Sequence, residues 1–71
     1  MIAFPKGQRP GPWRLARVDD GWRWMRSDGA WVELQQVPDG TSRVADSTGR
    51  VAAFDRFTLA HEETWRRRVE L

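Results

Sequence analysis

Between Trp13 and Phe54 the chain alternates short apolar-rich runs with turn triplets that end in glycine. The triplets are Asp19-Asp20-Gly21, Ser27-Asp28-Gly29, Pro38-Asp39-Gly40 and Ser47-Thr48-Gly49. Their glycines fall 8, 11 and 9 residues apart, the spacing of an antiparallel meander. Each triplet suits a three-residue hairpin loop, a type I turn followed by a left-handed residue in a bulge. Pro38 has the fixed φ that the second turn position needs. A two-residue loop at Ser47-Thr48 would force Thr48 to positive φ, which a β-branched residue resists. Three-residue loops are therefore expected at all four turns, with Gly21, Gly29, Gly40 and Gly49 left-handed.

This loop type fixes the register. The loop-flanking pairs become Val18–Trp22, Arg26–Ala30, Val37–Thr41 and Asp46–Arg50, each of matching number parity. All even-numbered strand residues then share one face and all odd ones the other. The even face carries an unbroken apolar ladder of Val18, Trp22, Leu34, Val44 and Ala52. Beside it run Ala16, Trp24, Val32, Asp46 and Arg50. The odd face carries Arg17, Arg23, Glu33, Ala45 and Val51, with Arg23 opposite Glu33. Arg17 opposite Arg23 is the one unfavourable pair. Leu15, Met25 and Trp31 extend the odd face, and Arg43 shares it.

Beyond Phe54 the period changes. Thr58 is placed to cap a helix from about Leu59 to Val69. Glu62 and Glu63 come early and Arg66, Arg67 and Arg68 late, which complements the helix dipole. Glu62–Arg66 and Glu63–Arg67 have the spacing of stabilising pairs. Trp65 is the expected docking residue on the sheet. Residues 1–12, with Pro5, Gly7, Pro10, Gly11 and Pro12, read as an extended N-terminal arm. The expected architecture is a β-rich α+β single domain: an extended arm over 1–12, a five-stranded antiparallel meander over 13–54, twisted or half-rolled, and a helix within 55–71 packing on the sheet. It resembles SH3-like and other small β-barrel modules in architecture alone, without a family motif that would carry functional residues across.

Composition narrows the function. With 71 residues the core must be efficient, and five tryptophans are the means to it. No cysteine is present, so neither disulfides nor thiolate metal sites contribute. No apolar run approaches the ~20 residues of a membrane span, and the first residues lack the apolar stretch of a signal peptide. A cytoplasmic protein is expected. The isoelectric point near 10.4 overstates the basicity, because the net charge is only +2 and lysine occurs once. Residues 1–27 are net basic, 28–63 net acidic and 64–71 basic again. Arginine in place of lysine fits a GC-rich bacterial or phage genome.

Catalytic chemistry is poorly supplied. His61 is the sole histidine, and two of the three serines sit in turns, where they serve the backbone. His61-Glu62-Glu63 lacks partners at metal-ligand spacing. No enzyme, cofactor or metal is expected. Tryptophan and arginine, the residues most enriched at binding hot spots, carry the functional signal instead. Trp31, Met25, Leu15, Arg17, Arg23, Trp13 and Arg43 are the candidate binding residues. The expected role is a protein-binding module, an adaptor or inhibitor of a larger protein, or a self-associating one. The alternative is a nucleic-acid-binding module using Arg14, Arg17, Arg23, Arg26 and Trp31, as stacking and phosphate contacts combine in single-strand binders. The acidic middle of the chain counts against that alternative.

Overall fold

In the computed structural model, which describes residues 12–71, three of the four turns close as their sequences require. Gly29, Gly40 and Gly49 adopt φ of 95°, 91° and 92°. Their N–H groups donate back to the carbonyls of Arg26, Val37 and Asp46, each at 3.0 Å. The strands are β1 (Arg14–Val18), β2 (Gly21–Met25), β3 (Trp31–Gln36), β4 (Ser42–Asp46) and β5 (Val51–Phe54), followed by α1 (Phe57–Glu70). The sheet is antiparallel with its strands in chain order, so β1 and β5 are its edges. The expected arm lies outside the described residues apart from Pro12.

The first hairpin departs from expectation. Val18 pairs with Gly21, not Trp22, so the loop is the two residues Asp19-Asp20. Neither aspartate has positive φ, and Gly21 does not serve as the left-handed residue. It is a strand residue, and a Cβ on it would lie 1.9 Å from the carbonyl oxygen of Leu34. Glycine is required there for close backbone approach between strands. The one-residue slip turns every β1 side chain to the opposite face. Arg17 now faces Trp22 and Leu15 faces Trp24, while Ala16 lies opposite Arg23. The slip removes the Arg17–Arg23 conflict and sets the Arg17 guanidinium 5.9 Å from the Trp22 ring centre.

The remaining register is as expected. Trp22 faces Leu34, Leu34 faces Val44, and Val44 faces Ala52. Trp24, Val32, Leu34 and Val44 form the core with Ala60 of α1, and Trp13, Trp22, Phe54 and Leu71 pack around it. Burying an aliphatic side chain such as Leu34 stabilises by about 1.5–3 kcal/mol.

Helix α1 covers this even face over β3, β4 and β5. Its N-cap is Arg56, whose side chain makes no capping bond, so Thr58 is not the cap. Trp65 does not dock the helix and is 62% exposed. Ala60, Thr64 and Arg67 face the sheet instead. The small Ala60 and Thr64 admit a close approach. Arg67, 4% exposed, answers Asp46, which is 1% exposed. Its Nη1 donates to Asp46 Oδ2 at 3.2 Å and to the Arg50 carbonyl at 3.0 Å. Its Nε donates to Glu63 Oε2 at 2.8 Å. Arg66 turns to Glu63, and not to Glu62.

Burial opposes the charged form of Asp46. The Thr48 hydroxyl and N–H, with the charges of Arg67 and Arg50, outweigh it and hold the carboxyl below its usual 3.8. Burial likewise opposes the charge on Glu63, and Arg67 and Arg66 hold that carboxyl below 4.5. The folded state therefore binds fewer protons than the unfolded chain in acid. The stabilisation is complete above the unfolded values and is lost as pH falls through the lowered folded ones.

Three outcomes follow from this packing. Leu34→Ala lowers the unfolding free energy by about 2–5 kcal/mol in urea titrations. Gly21→Ala costs about 3 kcal/mol, because the added methyl meets backbone, while Gly29→Ala, in open space at positive φ, costs about 1 kcal/mol. Equal losses at the two glycines would contradict their different roles. The urea midpoint falls as pH drops below about 4. Asp46→Asn lowers the midpoint at pH 7 and flattens this acid dependence.

Candidate functional site

With α1 on the even face, the odd face of the sheet carries no second layer among the described residues. Three rows of side chains cross it. Arg14, Met25 and Trp31 form the first, with Met25 directly opposite Trp31. Ala16, Arg23, Glu33, Ala45 and Val51 form the second. Gln35, Arg43 and Ala53 lie in the third, beside Gly21 and Val18.

Glu33 organises the centre. It is 7% exposed although its face is open, because its neighbours wrap it. Arg23 Nε donates to Glu33 Oε2 at 2.7 Å, and Arg23 Nη2 reaches the same oxygen. Gln35 Nε2 donates to the other oxygen. The Arg23 guanidinium is thereby held over the Trp31 ring, 5.1 Å from its centre. The side-chain freedom that a binding event would otherwise remove is already restricted. Two depressions flank Met25. One, about 370 Å³, is lined by Pro12, Arg14, Met25, Arg26 and Ser27. The other, about 140 Å³, is lined by Arg23, Met25, Arg26, Gly29, Ala30 and Trp31.

The structure thus brings Met25, Trp31, Arg23 and Arg43 to one face. Leu15 and Arg17 stand on the other, with Trp22 and Trp24. They form an uncovered margin of the helix side, where Leu15 is 60% exposed. Trp13 is half-buried against the core. The Arg26 guanidinium lies 4.8 Å from the Trp13 ring centre. Arg26 also bonds both oxygens of Asp28, at 2.8 and 2.7 Å, and donates to the Leu71 carbonyl at 2.7 Å. This clasp joins the start of the sheet to the end of the helix and gives Trp13 a packing role. Sequence reasoning named Arg14 only for the nucleic-acid alternative, and the structure gives it the place expected of Leu15. It paired Glu33 with Arg23 but did not foresee Glu33 as the organiser of the face. The same-face neighbour Gln35, two residues on, is the signal that could have shown it.

Among the described residues, no group of three or more His, Asp or Glu side chains could hold a metal ion. No helix there is long and apolar enough to cross a membrane. The chain matches no protein-family model, no curated protein and no solved structure.

Proposed function

We propose that the protein is a small non-enzymatic binding module, an adaptor or inhibitor that engages a larger protein through the uncovered face of its sheet. One observation carries this reading: Met25 and Trp31 face each other on that open face, with Arg23 stacked over Trp31 and fixed by Glu33. An aromatic anchor, a flexible thioether and a restrained arginine are the residue types on which interface energy concentrates. The depressions on either side of Met25 offer places for a partner's side chains. Arginine used in place of lysine supports a bacterial or phage source.

The nucleic-acid alternative has less support. Arg23 is neutralised by Glu33 and Arg26 by Asp28, and Arg17 stands on the opposite face from Trp31.

Trp31→Ala tests the reading. It leaves the fold intact, since Trp22 and Trp24 hold the core, and it weakens the identified partner by about 2 kcal/mol, near thirtyfold. Titration calorimetry of the purified pair measures this, with circular dichroism as the check on folding. Affinity for a protein partner changes little between 50 and 200 mM salt, whereas phosphate-dominated binding falls steeply over that range. A folded Trp31→Ala protein with wild-type affinity overturns the proposal.

A further inference from the structure

The two edges of the sheet differ. β1 carries Arg14 and Arg17, and charged side chains on an edge discourage pairing with another strand. β5 reads Val-Ala-Ala-Phe, with no charge and no proline. The bond from the Asp46 N–H to the Arg50 carbonyl, at 3.2 Å, sets the alternation along β5. Ala52 and Phe54 bond inward to β4, so the N–H and C=O groups of Val51 and Ala53 point outward from the sheet. Val51 and Ala53 are both exposed.

We propose that β5 is a self-recognition edge, through which two copies of this chain pair β5 to β5, antiparallel, into one continuous sheet. This inference is independent of the open-face reading. A two-fold axis perpendicular to the sheet through Ala52 sets Val51 of one copy opposite Ala53 of the other. Paired residues must share a face, and these do. Their outward groups have no partner strand among the described residues and can exchange hydrogen bonds, and the axis repeats the exchange on its other side. Charge selects this register over its neighbour. An axis through Ala53 would set Arg50 against Arg56, like against like, whereas the axis through Ala52 sets Arg50 against Phe54.

The helix layer agrees. Arg50 bonds Glu70 at 3.3 Å, Glu70 lies 4.0 Å from Arg66, and Arg66 pairs with Glu63. This alternating row runs along the flank of α1 on the β5 side. The same axis runs this row antiparallel to that of the second copy. A row carrying both signs of charge beside an uncharged strand edge fits a second copy of this chain.

Sedimentation velocity of the full chain over rising concentration tests the inference. Wild type shifts from monomer to dimer. Ala53→Pro removes one outward N–H without touching the β4 ladder, a position where an edge strand tolerates proline. It weakens the dimer at least tenfold while circular dichroism stays unchanged. Should that variant fail to fold, the double variant Val51→Lys and Ala53→Lys decides: both side chains are exposed, and pairing would set lysine against lysine. Trp31→Ala leaves the dimer in place. Wild type that stays monomeric throughout overturns the inference. So does a dimer that survives the folded edge variants, or one that Trp31→Ala abolishes and they do not.

Discussion

A carboxylate buried in an apolar layer needs a cation within reach, and for Asp46 the helix supplies it through Arg67. That demand sets the rotation of α1. With Arg67 turned down, Ala60 and Thr64 face the sheet beside it, and Trp65, one residue beyond Thr64, is carried outward. Among the described residues no element covers the opposite face of the sheet. Buried ion pairs add little net stability, since desolvating both charges offsets their attraction. Removing one partner strands the other, however, and this penalises every alternative docking of the helix. Asp46 also accepts from the Thr48 N–H at 2.8 Å, so the same group orders the last turn. One carboxylate thereby ties hairpin geometry to helix placement.

Much of this was legible in the turn triplets. Where glycine supplies positive φ, as at Gly29, Gly40 and Gly49, the triplet named the loop, and the loop named the register. Gly21 looks identical in sequence but answers a different need, the approach of the Leu34 carbonyl from a strand thirteen positions away in the chain. Local pattern cannot separate these two uses of glycine. Because strand side chains alternate, that single ambiguity exchanged Leu15 and Arg17 for Arg14 and Ala16 on the open face. Met25, Trp31, Arg23 and Arg43 were placed together because three sound turns fix their register. The helix is where the sequence places it, but its docking residue differs for another reason. Counting apolar side chains favours Leu59, Trp65 and Val69, but the docking stripe was decided by a charge lying beneath it.

The open face is neither a bare apolar patch nor an ordinary polar surface. Its aromatic and thioether groups share the face with alanines on β1, β4 and β5. The ion pair of Arg23 and Glu33 sits among them with its partners satisfied. Such a surface resists non-specific collapse, because covering it requires contact with a fixed charge pair as well as with Trp31.

The Arg26 clasp settles where other chains could be attached. By holding the Trp13 ring and the Leu71 carbonyl at once, it draws both ends of the described chain to one pole of the sheet, the pole that bears Met25. The chain thus enters the described fold and leaves it at this pole, beside the rim of the open face. The turns at Asp19-Asp20 and Pro38-Asp39-Gly40 lie at the far pole. An anchor placed in either of them would leave the pole that bears Met25 free.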